Sequence, residues 1–167
     1  MIREDLIRPI DLGSAGEHLV CADLILHGLR AFQGAQGLPY DVIADLGDAI
    51  LRVAVKSTIS SKPRRAKALP TYQFNLVRQG VERRYSPESV DIIACVALDI
   101  HQIAYLPVSG APTRIHFDIP GPKVYPNKHK GGNFHPEKHM TGFTLEAALE
   151  RWRAYCVGRQ TGWQSAA

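Results

Sequence analysis

The 167-residue chain is predicted to fold as a single α/β domain, with a mixed sheet of four or five strands flanked by two helices. Three observations predict it: a helix signature near the start, an alternating hairpin across residues 40–58, and a continuous apolar run at 90–98 followed at once by another strand. The length accommodates one well-buried domain and falls short of two ordinary ones, so residues 1–167 are taken as one unit.

The first element is signalled by Ser14-Ala-Gly-Glu17, a capping-box pattern in which the serine and the glutamate three positions on satisfy open amides of the first turn. Val20, Leu24 and Ile25 recur at helical spacing and Gly28 offers a C-terminal stop, giving a helix of about three turns. Arg30 to Gln33 reads as a short extended piece, and Gly34 to Gly37 as a break.

The hairpin comes next. Gly47-Asp48 suits a two-residue loop, because glycine accepts the positive φ that a type II′ turn requires at its first central position. Pairing Leu46 with Ala49 then sets Ala44 opposite Leu51, Val42 opposite Val53 and Asp41 opposite Ala54. Alternation puts Tyr40, Val42, Ala44, Leu46, Leu51, Val53 and Val55 on a core face, and Asp41, Ile43, Asp45, Arg52, Ala54 and Lys56 on the other. That second face is either functional or the ordinary solvent side of an antiparallel hairpin.

Downstream, residues 60–69 form a basic loop containing Pro63, and Tyr72 to Val77 alternates like a strand. Val90 to Leu98 suits a buried central strand, Gln102 to Leu106 follows it, and Thr113 to Phe117 adds an edge strand. Residues 118–142 are rich in Pro, Gly, Lys and His without periodicity, a long loop of the kind that is usually functional or poorly ordered. Thr144 caps a last helix, residues 144–156, whose apolar side holds Leu145, Ala148, Leu149 and Trp152.

Composition narrows the class of partner. No apolar run is long enough to span a bilayer, so no membrane is expected. The first residues lack the apolar stretch of a signal peptide, and a cytoplasmic location is the expectation. Cys21, Cys95 and Cys156 lie far apart among apolar neighbours and read as reduced, buried thiols rather than as a zinc or catalytic set. The formal charge is +4, and its distribution is more telling than its total. Between Asp48 and Glu82 there is no acid, while Arg52, Lys56, Lys62, Arg64, Arg65, Lys67 and Arg78 fall in that stretch. Between Asp118 and Glu137 there is again no acid, and Lys123, Lys128 and Lys130 fall in that stretch. Such clusters suit a polyanion, or are simply solvated loops.

A leading helix with Gly16-Glu17, then Pro39-Tyr40-Asp41, then Arg52-Val-Ala-Val-Lys56-Ser-Thr, with Tyr72-x-Phe74, Val90-Asp91 and Tyr105-Leu-Pro107 beyond, resembles the PD-(D/E)xK endonuclease superfamily. More narrowly, it resembles the small branch that contains an intron-encoded homing endonuclease and archaeal Holliday-junction resolvases, over a core of about residues 12–108. The resemblance implies a restriction-endonuclease-like fold and an endodeoxyribonuclease that uses Mg²⁺, with Mn²⁺ as an alternative. It implies that Asp41 binds metal, that Lys56 orients the attacking water and steadies phosphate charge, and that Glu17 assists the metal. It also implies DNA as partner and a homodimer or higher homo-oligomer. The position two before the lysine is normally Glu, Asp or Gln, and here it is Ala54, which leaves a catalytically inactive DNA-binding protein as the alternative.

On the hairpin register, Asp41 and Ala54 have Cβ atoms about 5 Å apart with Lys56 diagonal to them. Asp45 lies roughly 13 Å along the strand from Asp41, too far to share an ion, and is expected to pair with Arg52 or face water. Ser57, Lys62, Arg64, Arg65, Lys67, Lys128 and Lys130 are the candidate phosphate contacts. Glu17 has a structural alternative as the capping-box acid, and Lys56 as a solvent-face lysine. His129, His135 and His139 invite a zinc site without a convincing fourth ligand. A small protein that binds another protein is the third class, distinguished by an absence of DNA binding.

Overall fold

The computed structural model describes residues 8–63, 69–77, 84–119 and 138–164, with residues 160–164 described by backbone alone. The first helix, α1, spans Pro9–Leu26 and begins five residues before the expected cap. Pro9 stands at the start, where its fixed φ fits and its missing N–H costs nothing. The Arg8 guanidinium donates to both carboxylate oxygens of Asp11 at 2.8 and 2.9 Å, which ties down that first turn. Ser14 and Glu17 are therefore mid-helix residues, and the capping-box expectation is corrected. The stop at Gly28 holds: its φ is +82°, its amide donates to the Ile25 carbonyl, and the Leu29 amide donates to the Leu24 carbonyl, a Schellman closure.

Strands β1 (Arg30–Gln33), β2 (Val42–Asp45) and β3 (Ile50–Thr58) form an antiparallel meander. The register is the predicted one, Val42 against Val53 and Ala44 against Leu51, with Gly47 at φ +86° in the loop. Strands β4 (Lys62–Pro63) and β5 (Pro70–Asn75) follow, then β6 (Ile92–Ala97), β7 (Gln102–Pro107) and β8 (Arg114–Asp118). A short 3₁₀ turn, Met140–Gly142, leads into α2, Leu145–Gln164, where Thr144 Oγ1 accepts the Ala147 amide as the cap requires. The main sheet runs β1-β2-β3-β6-β7, with only the β3–β6 pair parallel.

The predicted mixed sheet of four or five strands is thus present, and a second sheet, β4-β5-β8, is added to it. The Tyr72 and Thr113 segments do form strands, but they pair with each other and lie against the main sheet. β3 and β6 are consequently covered on both faces. On one face Val53, Ile92, Ala94 and Val96 join Val20 and Leu24 of α1 and Leu145 and Ala148 of α2. On the other, Ala54, Ile93, Cys95 and Ala97 join Tyr72, Phe74 and Phe117 of the second sheet. This is why residues 90–98 read as an unbroken apolar run. It also overturns the expected polar outer face of the hairpin: Ala54 is 0% exposed, and Tyr40 packs on Ala54's side rather than with Val42.

The parallel pair is pinned at its start by Arg52 and Asp91. The Arg52 amide and Nε both donate to Asp91 Oδ2, at 2.8 and 2.9 Å, and Nη2 donates to Oδ1 at 2.8 Å. Trp152 Nε1 of α2 adds a fourth donor at 3.1 Å, and the guanidinium also reaches the carbonyls of Pro87 and Glu88. Asp91 is buried, and four donors satisfy its carboxylate. Asp45 is thus not the partner of Arg52; its Oδ1 accepts the Gly47 amide at 2.7 Å and helps close the hairpin loop.

Helix α1 lies directly on β3 at Gly16. A Cβ there would overlap Ser57 Oγ and come within 3.0 Å of Ser57 Cβ and 3.4 Å of Val55 Cγ1. Alanine at position 16 gains about 1 kcal/mol of helix propensity, yet overpacking costs about 1–3 kcal/mol, so Gly16→Ala is expected to lower the urea midpoint. Ser57→Ala, which deletes a buried hydroxyl with no hydrogen-bond partner, should be near neutral alone and should recover part of the Gly16→Ala loss. Equal loss with and without the serine change would show that the helix does not sit where it is described.

Candidate active site

Three elements bring the predicted site residues to one end of the β2–β3 pair. Asp41 stands just before β2, where the antiparallel ladder would otherwise continue. Its amide donates to the Val53 carbonyl at 2.9 Å, and its Oδ2 accepts the Val55 amide at 2.6 Å. The carboxylate thus lies along the edge of β3, in place of the backbone that an extended β2 would have supplied. The Asp41 carbonyl accepts the Gly34 amide at 2.7 Å, tying the segment back to the end of β1.

Glu17 reaches the same place from α1. With α1 starting at Pro9, its carboxylate has no capping role to play. Burial pushes the Glu17 carboxyl above its ordinary value, and the charge of Asp41 raises it further, with a smaller opposing effect from His18. The charge of one acid is therefore felt by another that comes from a separate element. The Gly16–Ser57 contact is what allows it, since any side chain at position 16 would lift this turn of the helix off β3.

Lys56 enters from the opposite face of β3, beside Cys95 in the parallel register. Burial raises the Cys95 thiol far above its ordinary value, offset only in part by the Lys56 ammonium. The ammonium stands 5.2 Å from the ring centroid of Tyr85, a cation–π distance. Tyr85 is half-buried against the second core cluster. Its neighbours fix it: Arg84 bridges to Val77, and Ser86 begins a turn in which its carbonyl accepts the Ser89 and Val90 amides. No motif in the sequence singles out Tyr85; only the tertiary contact reveals it.

The remaining candidates separate. Ser57 turns its Oγ beneath Gly16, on the side of the sheet away from Lys56, and is buried there. Lys62 is exposed on β4. Arg64, Arg65, Lys67, Lys128 and Lys130, with His129 and His135, lie outside the described residues. His139 is buried at 3% exposure beside Met140. Among the described residues no three His, Cys, Asp or Glu side chains converge to hold a metal. The carboxylates that could hold a divalent ion are those of Glu17 and Asp41, hard oxygens of the kind Mg²⁺ takes one or two at a time while keeping waters and substrate phosphate for the rest.

A family model described as PD-(D/E)XK endonuclease matches residues 8–130, a span that includes Glu17, Asp41, Ala54 and Lys56. A solved structure of a bacterial homing endonuclease is similar, with a TM-score of 0.57 and 15% identity over 92% of this chain and 98% of that one. At that identity the likeness speaks for the fold, a restriction-endonuclease-like α/β arrangement. No curated protein matches.

Two measurements follow from this geometry. A carboxyl whose folded value is raised binds its proton more tightly in the native state, so stability is lost as pH climbs from the unfolded value through the folded one. Glu17→Gln should therefore raise the urea midpoint at neutral pH, with the gain shrinking as pH falls through the folded carboxyl value and gone below the unfolded one; a gain independent of pH would refute the raised carboxyl. For Lys56, NMR of the side-chain εCH₂ should show an upfield ring-current shift that survives Tyr85→Phe and disappears in Tyr85→Leu. An unchanged shift in Tyr85→Leu would remove the contact.

Proposed function

Because the chain belongs to the PD-(D/E)XK endonuclease family, we propose that it is a Mg²⁺-dependent endodeoxyribonuclease hydrolysing DNA phosphodiester bonds at Glu17, Asp41 and Lys56. The observation that carries this is the fixing of the Asp41 carboxylate on the Val55 amide at 2.6 Å, at the edge of β3 that Glu17 reaches from α1; the Glu17 carboxyl is raised first by burial and further by the charge of Asp41. Two carboxylates pressed together repel, and a bound divalent cation relieves that repulsion. Glu17 and Asp41 would hold the ion, with Mn²⁺ able to replace it. When bound, the metal supplies Lewis-acid stabilisation of the phosphoryl oxygens and makes water more acidic.

The protein's own groups account for the rest. The Val55 amide fixes the Asp41 carboxylate at 2.6 Å, so the acid is oriented before substrate arrives. Lys56 brings an ammonium that steadies negative charge on the phosphate and orients water. Hydrolysis adds that water across one P–O bond, leaving a phosphate monoester on one fragment and a hydroxyl on the other. Lys62, Arg64, Arg65, Lys67, Lys128 and Lys130 are the proposed contacts to the DNA backbone. Ser57 leaves that set, because its hydroxyl is sealed under α1.

A second function has its own support. Ala54 is 0% exposed and offers no ligand atom where the family normally has one. A nuclease-like protein that binds DNA without cutting it is consistent with that position.

Incubating the protein with supercoiled, branched and single-stranded DNA in Mg²⁺ or Mn²⁺ separates the two. Cleavage is expected, absent in EDTA, and reduced by about 10²-fold or more in Lys56→Ala, the scale for losing one charge-stabilising group. Undiminished cleavage by Lys56→Ala would remove that residue from the site. Salt-sensitive DNA binding without cleavage by the wild type would establish the inactive alternative.

A further inference from the structure

We propose that the groove between Arg84 and Arg114, on the second sheet, is a binding surface for the phosphodiester backbone of duplex DNA, continuous through Tyr85 with Lys56. The proposal rests on the nuclease assignment and extends it to residues that neither the motif nor the charge runs singled out.

The groove has a volume of about 610 Å³ and is lined by Asn75, Val77, Arg84, Thr113 and Arg114. Among the described residues its lining contains two guanidinium groups and no carboxylate. Asn75 and Arg114 face each other across the β5–β8 ladder, and Arg114 Nε donates to Asn75 Oδ1 at 2.8 Å. That bond holds the guanidinium plane in place while using neither terminal nitrogen. Arg84 is anchored through its backbone by the bridge to Val77.

Other arginines of the chain are committed to acids: Arg52 to Asp91, Arg153 to Asp48, and Arg159 to Glu88. Among the described residues neither Arg84 nor Arg114 is paired with an acid. A protein that leaves two arginines unneutralised in one groove presents a site for an anion. The form of the site selects which anion. Asn75, Arg84, Thr113 and Arg114 are all exposed, so the groove is open along its length. Small-molecule sites bury most of their ligand, whereas a duplex backbone is gripped from one side by arginine and neutral amide or hydroxyl groups. Tyr85 follows Arg84 directly in the chain and carries the Lys56 ammonium on its ring. A strand resting on Arg84 is thereby led toward Lys56.

The test is salt-dependent binding of the full chain to a fluorescent 30-base-pair duplex, in EDTA so that no strand is cut. Each of Arg84→Gln and Arg114→Gln should reduce the magnitude of the slope of log affinity against log [NaCl] by about 0.9, and the double variant by about twice that, with the thermal melt unchanged. Arg151→Gln on α2, across the main sheet, should leave the slope as it is. Unchanged slopes in both groove variants, or an equal reduction in Arg151→Gln, would overturn the groove while leaving the nuclease assignment intact. No binding by the wild type even at low salt would overturn both.

Discussion

At Gly16 the backbone of α1 lies against Ser57 and Val55 of β3 with no side chain between them. The approach is close enough to bury the Ser57 hydroxyl without a partner, a desolvation cost of about 1–3 kcal/mol that the packing around it must offset. In return the next residue of the helix, Glu17, is delivered to the edge of the sheet where Asp41 stands. A helix one side chain further away would loosen the packing of Val20 and Leu24 as well as withdraw Glu17 from Asp41. The candidate site is therefore set by the absence of a Cβ rather than by an attractive contact.

The same strand is constrained from its other end. Arg52 and Asp91 exchange backbone and side-chain bonds across the β3–β6 pair, and Trp152 ties α2 to the carboxylate. Parallel strands have no turn to set their register, and a buried carboxylate that must find four donors admits only one. Between the Arg52 anchor and the Gly16 contact, β3 has little freedom to slide. That fixes Lys56 on the face toward Tyr85 and leaves the Val55 amide available to Asp41.

Both faces of β3 are covered, and this bears on function as much as on stability. Ala54 is enclosed by the second sheet, so position 54 contributes packing where the family contributes a ligand. In the proposed site the metal ligands are therefore Glu17 and Asp41, while Lys56 lies on the face of β3 toward Tyr85. Arg114 of β8, with Arg84 beside it, makes the second sheet part of the proposed DNA contact as well as a cover for the core.

The β2–β3 register was legible in the sequence, because a two-residue loop with glycine first fixes which residues face each other and alternation then assigns the faces. So were the stop at Gly28 and the buried run at 90–98, which depend on local backbone and solvation. The start of α1 was missed because proline at the first position and the Arg8–Asp11 bond outweigh a capping box further along. The second sheet was missed because strand alternation reports which side of a segment is apolar, not which sheet it joins. Glu17 and Asp41 could be named from spacing, but their mutual influence, the seating of Lys56 on Tyr85 and the burial of Ser57 arise from contacts between distant segments. Only tertiary packing decides those, since each depends on how closely two elements approach.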